Sequence, residues 1–179
     1  PNSQTLAPIT DLTGLQDFTA LVDFIIDGCL IDTLDISSNH NIQFLSAYNA
    51  RQLMHVKFST SADYCEVMFE GTPMEQIDLR GLTIPGSAIY GTSVCEGPYI
   101  MATATPDEEG NMIGGNLQCI LMDPDEVDFG NEAIANELWG VPQGVYADET
   151  CIILPPTLIT DANFEQALID LELDDAIDG

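Results

Sequence analysis

Apolar positions in the first half of this chain recur in two interleaved ladders. One runs through Ile31-Leu34-Ile36, Leu53-Val56-Phe58 and Met74-Ile77-Leu79, each apolar-x-x-apolar-x-apolar, in steps of 22 and 21 residues. The other runs through Leu21-Phe24-Ile26, Ile42-Leu45-Ala47 and Tyr64-Val67-Phe69, in steps of 21 and 22. Each turn therefore holds two short extended segments. Within a segment the strand period of two sends Leu34 and Ile36 inward and Thr33, Asp35 and Ser37 outward. No single turn can bury its own apolar edge, whereas stacked neighbours bury it together. The spacing thus predicts a stacked-repeat solenoid, mostly β with short helices, which offers partners an extended surface rather than one deep pocket.

The pattern holds from Ile9 to about Leu82, with Ile9-Leu12 and Gly14 as a weak first turn. Residues 84–91 read as an insertion or irregular turn. Tyr99 to Ala104 reads as a further strand, residues 106–111 as a solvated loop and Leu117 to Met122 as a last strand. An acidic turn over Asp123–Gly130 then leads to a short helix over Asn131–Leu138 and to Trp139. Pro155-Pro156 forms a rigid joint. A final helix is predicted over Ala162–Leu173, N-capped by Asp161, with Phe164, Ala167, Leu168 and Leu171 on one face. The expected organisation is a repeat region over residues 1–115, irregular from about 83, a closing cap over 116–154, and a linker with a terminal capping helix over 155–179.

Charge narrows the function. Thirty Asp and Glu stand against three Lys and Arg, a net charge of −27 at pH 7. Nucleic acid and anionic membranes need cationic side chains, so both are excluded as partners. Such acidity suits a protein working outside the cell in salty or calcium-containing water, or a halophile's cytoplasm. The apolar runs are too short to span a bilayer as a helix. The five cysteines point to an oxidising compartment and leave at least one thiol unpaired within the chain. No signal peptide is visible ahead of Pro1, which suggests a mature form or a fragment.

Ile31 to Asn39 fits the leucine-rich-repeat consensus through its asparagine, whose side chain is expected to bond backbone groups exposed where the strand turns. Ser61 and Leu82 occupy that place in later turns, so the asparagine ladder is incomplete. Beyond the consensus, Ile9 to Leu21 followed by Leu34 to Asn39 resembles the opening turns of leucine-rich-repeat segments in Bacteroidota surface proteins. Asn116 to Ile120, Trp139 and Tyr146 to Cys151 resemble their closing module, in which two cysteines flank a tryptophan. Ile159 to Leu171 is similar to the helix that begins such arrays. The resemblance implies secreted or cell-surface proteins, commonly exported by the type IX system and often adhesive. It also implies a disulfide between Cys119 and Cys151 closing the cap, against the alternative of two buried thiols. Because the array-opening helix stands at the end of the chain, the 179 residues are expected to be one unit of a longer tandem array or filament.

Cys29 falls where the consensus allows Asn or Cys and reads as a buried structural thiol. Cys65 and Cys95 are open to pairing, which spacing does not decide. Two carboxylate clusters stand out, Asp123, Asp125, Glu126 and Asp128, and Asp170, Asp174, Asp175 and Asp178. Neither has EF-hand spacing, and a solvated acidic surface is the simpler reading of each; calcium at Asp174, Asp175 and Asp178 would sit at a unit junction. The outward positions Thr33, Asp35, His55, Lys57, Gln76 and Asp78 are candidates for a ligand-binding strand face. Asp32-Thr33-Leu34 also fits the short O-glycosylation pattern of Bacteroidota, which marks Thr33. Tyr48, Phe69 and Trp139 read as core or cap residues.

No nucleophile elbow, phosphate-binding glycine loop or paired zinc-ligand motif is present, and His40 and His55 stand on different segments. The expectation is therefore a non-catalytic, extracellular structural or adhesive repeat unit. It would contact copies of itself head to tail or in tandem, and surface protein or polysaccharide along the strand face. No cofactor is expected beyond calcium. The alternative is a discrete protein- or glycan-binding module of a larger secreted enzyme or receptor.

Overall fold

The computed structural model describes residues 8–82, 99–107 and 109–152. Eleven strands of two or three residues and one α-helix are present among them. In chain order the strands are β1 (Asp23–Ile25), β2 (Thr33–Asp35), β3 (Phe44–Ser46), β4 (His55–Lys57), β5 (Glu66–Met68), β6 (Gln76–Asp78), β7 (Tyr99–Met101), β8 (Thr105–Pro106), β9 (Met112–Ile113), β10 (Cys119–Leu121) and β11 (Tyr146–Asp148). The helix, α1, spans Val127–Ala135 between β10 and β11.

The strands are short because each carries a single inward residue and is then turned. In the repeat region the turn that follows is closed by an N–H reaching back three residues to a carbonyl. The series is Cys29 to Ile26, Asn39 to Ile36, Ala50 to Ala47, Ala62 to Ser59, Thr72 to Phe69 and Leu82 to Leu79. An aspartate commonly stands at the strand end and accepts from the residue two further on. Asp35 takes the Ser37 N–H and hydroxyl (3.0 and 2.6 Å), and Asp148 takes those of Thr150 (2.8 and 2.8 Å). Asp11 does the same for Thr13, and Asp78 accepts from the Arg80 N–H. Each is an Asx-turn, a local side-chain substitute for a backbone turn.

Pairing follows the 21–22-residue spacing where the spacing persists. Phe24, Leu45 and Val67 lie in one parallel register, joined by Ile100 of β7. Leu34 pairs with Val56. Ile77 does not extend that second row; it pairs with Ile120 of β10, which pairs with Ala147 of β11. The result is four separate sheets, in the orders β1-β3-β5-β7, β11-β10-β6, β2-β4 and β8-β9, the last of them an antiparallel pair.

These separate small sheets, one of them antiparallel, overturn the expectation of a leucine-rich-repeat solenoid. The physical reason is that apolar alternation decides which side chains face inward, but not whether neighbouring backbones come close enough to hydrogen-bond. Leu117–Met122 is also not the last strand, since β11 follows β10. The helix starts at Val127, inside the stretch read as an acidic turn. The expected linker and terminal capping helix over residues 155–179 lie outside the described residues.

One core runs through the described residues. Leu34, Ile36, Ile42, Leu45, Leu53, Phe69, Leu79, Ile100, Ile120 and Met122 are almost wholly excluded from solvent. Phe58 meets Tyr64 and Phe69 edge to face, with ring centroids 5.2 and 6.3 Å apart. Trp139 is buried against Phe129 of α1, at 6.2 Å. A second, smaller cluster of Cys119, Leu121 and Cys151 covers the other side of β10. There Cys119 and Cys151 form a disulfide, with Cα atoms 5.7 Å apart.

The asparagine signal has a clear structural role. Asn39 is fully buried, and its Nδ2 donates to the carbonyls of Leu15 and Phe18 in the preceding turn, at 2.9 and 3.0 Å. Asn41 repeats the device one step out, donating to the Thr19 carbonyl at 2.7 Å.

Candidate functional site

Two strand faces and one pair of sealed edges are the features from which a function can be argued. The first face carries the six candidate residues. Thr33 lies opposite His55 and Asp35 opposite Lys57 across β2 and β4, while Gln76 and Asp78 lie on β6. Between β4 and β6, where the expected row breaks, is a cleft of about 380 Å³ lined by Met54, His55, Val56, Glu75, Gln76, Asp78 and Leu121. The structure thus brings His55, Gln76 and Asp78 together and leaves Thr33 in a separate depression beside Asp11 and Gln52.

Several of these groups are already engaged. Asp35 meets Lys57 at 3.3 Å, but its carboxyl is held below the ordinary range chiefly by the Ser37 hydroxyl and N–H. Asp78 meets Arg80 through both guanidinium Nε and Nη2, at 2.9 and 2.7 Å, and this arginine is the main cause of its lowered pKa. Two of the three cations in the chain are therefore paired with strand-end carboxylates, Lys57 with Asp35 of the neighbouring β2 and Arg80 with Asp78 of the strand it follows. Sequence reasoning placed Asp35 and Asp78 on the outward face, but not in the Asx-turns that occupy them.

The second face is the outer side of β1-β3-β5-β7, which sequence reasoning did not single out. Its strands are in parallel register, so outward residues form two rows across them. One row reads Asp23, Phe44, Glu66 and Tyr99; the other reads Ile25, Ser46, Met68 and Met101. Ile25 is 67% exposed and Phe44 42%, and the two stand on neighbouring strands of this one face. Ser46 is buried, its hydroxyl turned onto the Asp27 carboxylate. Between taller neighbours it leaves a groove of about 280 Å³ bounded by Asp23, Ile25, Phe44, Glu66 and Met68. The signal was present as the outward positions of the second ladder, beside the inward residues on which the periodicity was read.

The strand edges are treated unequally. On β11 the Ala147 N–H and carbonyl, which point away from β10, are both taken by the Asn131 side chain of α1 at 3.0 Å each. On β7 the outward edge is taken by Gly140, which donates to the Ile100 carbonyl and accepts from Ala102, both at 2.8 Å. Gly130 lets α1 approach this closely: a Cβ there would collide with Met122 Sδ and Ala147 Cβ. By contrast, β1 and β2 each have a strand partner on one side only among the described residues. Unpaired edges invite further pairing, and covered edges forbid it.

Reactive chemistry is sparse. His40 Nδ1 lies 2.7 Å from the Ser59 hydroxyl and 3.0 Å from that of Ser61. Ser59 is buried and its N–H donates to the Tyr64 hydroxyl, so the contact braces adjacent turns. Burial pushes the Tyr64 phenol up to about 12 and raises the Cys29 thiol. Cys29 is the free cysteine among the described residues and is buried; Cys65 is disulfide-bonded, and Cys95 lies outside the described residues.

Among the described residues no three His, Cys, Asp or Glu converge as a metal site. Asp123, of the first acidic cluster, instead accepts from the Gly81 N–H at 2.7 Å. The calcium candidates Asp174, Asp175 and Asp178, with Asp170, lie outside the described residues. Phe69 and Trp139 are core residues, whereas Tyr48 is 38% exposed and corrects its reading as core. No helix among the described residues is long and apolar enough to cross a membrane. No protein-family model, curated protein or solved structure matches this chain.

Proposed function

We propose that this chain is a non-catalytic recognition unit working outside the cell, binding protein partners on its outward strand faces. The observation that carries the reading is the sealing of β7 by Gly140 and of β11 by Asn131. It ends both ladders with satisfied backbone groups and leaves side-chain faces, rather than strand edges, as the surfaces presented there. The Cys119–Cys151 disulfide supports an oxidising compartment. The dearth of free cations supports partners that are neutral or basic.

Sedimentation of the purified chain over a wide concentration range tests the reading. A discrete particle is expected at all concentrations. Cell fractionation with a membrane-impermeant label should place the native protein outside the cytoplasm, and a cytoplasmic result would sink the proposal. A second reading, a unit of a surface fibre or tandem adhesin, is favoured by the outer edge of β1, which has no strand partner among the described residues. Filaments in electron micrographs of native material would select it.

A further inference from the structure

We infer that the face of β1-β3-β5-β7 binds an extended segment of another protein in which a Lys or Arg is followed, two residues on, by an apolar side chain. This rests on the recognition reading above and names the partner's chemistry on one face. The argument begins with the two rows. Parallel register places Phe44 between Asp23 and Glu66, and places Ser46 between Ile25 and Met68. Neighbouring strands stand roughly 4.8 Å apart, so the Phe44 ring has one carboxylate within reach on each side. A cation set over the Phe44 ring would meet the negative face of the π-system and both carboxylates at once.

The second row supplies the apolar half. Ser46 is short and its hydroxyl donates to Asp27, so the floor between Ile25 and Met68 is low and the groove admits a side chain. Methionine adapts its shape to what it contacts, which suits Met68, and Met101 beyond it, to varied aliphatic residues. The two subsites are tied to each other by the strand itself. Phe44 and Ser46 are two residues apart, so an extended ligand presents side chains with the same spacing when it lies along the strand.

Charge decides between occupants. A second copy would bring further negative charge to a chain that already carries −27. Of this chain's three cations, Lys57 is paired with Asp35 and Arg80 with Asp78, both away from this face, and Arg51 acts on Asp107. A basic segment from a different protein satisfies both rows, whereas a neutral glycan would leave the two carboxylates without counter-charge.

The test uses a labelled, end-blocked peptide of sequence Arg-Thr-Leu-Thr-Arg-Thr-Leu, titrated against the folded chain by fluorescence anisotropy. Saturable binding is expected, weakened by salt. The pair Asp23→Asn and Glu66→Gln should weaken it by roughly tenfold or more. Asp125→Asn with Glu132→Gln removes the same charge elsewhere and should change it by less than about twofold. Equal losses from the two pairs would show general attraction to an acidic protein and overturn the inference.

Nuclear magnetic resonance of the unmutated chain provides a readout independent of the variants. Peptide should shift the Ile25 and Met68 methyl signals, and shifts confined to other residues would overturn the proposal. So would concentration-dependent shifts of Met68 without peptide, which would mean that a second copy covers the face. A discrete extracellular particle that fails to bind the peptide would overturn this inference while leaving the recognition reading in place.

Discussion

Asn39 shows how much one buried polar side chain can carry. It satisfies two carbonyls of the preceding turn from a position with no solvent access. Asn39→Ala would leave the Leu15 and Phe18 carbonyls without that donor, and a loss of about 1–3 kcal/mol is expected in urea unfolding. Gly71 is constrained differently. Its φ of +71° is ordinary only for glycine, and a Cβ there would overlap both Thr105 Oγ1 and Asn49 Oδ1. Those two atoms already hold each other at 2.6 Å, so neither can easily yield. Gly71→Ala should therefore lower stability by about 1–3 kcal/mol, seen as a reduced melting temperature. The asparagine was legible in the sequence because a recognised consensus position carries a known hydrogen-bonding task. The glycine was not, because Thr105 and Asn49 are 56 residues apart and only folding brings them together.

At the level of elements, the Asx-turns tie stability to pH. Asp11, Asp35, Asp78 and Asp148 all have carboxyls held below their ordinary value, by Thr13, Ser37, Arg80 and Thr150 respectively as the main partners. A carboxylate whose folded pKa is depressed stabilises the fold above its unfolded value, near about 4, and loses that contribution as pH falls through the folded value. Urea midpoints measured between neutral and acid pH should therefore drop on the acid side. The pair Asp35→Ala and Asp148→Ala should flatten that drop, which separates the turns from the general relief of repulsion as other carboxylates protonate. The same elements show what the sequence could and could not reveal. Inward positions of β1 to β6 followed from alternation, since burial needs only the strand period. The partners of β6 and β5 did not, because the chain jumps from a step of 21–22 residues to 43 between Gln76 and Cys119, and to 33 between Glu66 and Tyr99. The sealing of β7 and β11 was hidden as well, since Gly140 and Asn131 act through their approach to backbone from other elements. The groove over Ser46 depends on a small residue among tall ones in neighbouring strands, a relation visible only once the register is set.

For the whole molecule, the closing disulfide is the main covalent restraint described. Cys119 and Cys151 are 32 residues apart, and joining them should contribute about 3–4 kcal/mol by restricting the unfolded chain. The double variant Cys119→Ala and Cys151→Ala is expected to lose that amount in denaturant unfolding while keeping the parallel ladders, whose pairing does not involve Cys151. Net charge acts over the same scale, since carboxylates repel one another and salt screens them. The jump from β6 to β10 has a consequence of another kind. It doubles the chain length between paired strands, and the added chain includes β7, which extends the other ladder from β5. Three residue pairs restore the parallel register on the far side. The stretch between Asp78 and Cys119 therefore serves both ladders in turn, since β7 within it must join β5 before β10 can return to β6, and losing β7 would bare an edge of β5 as well.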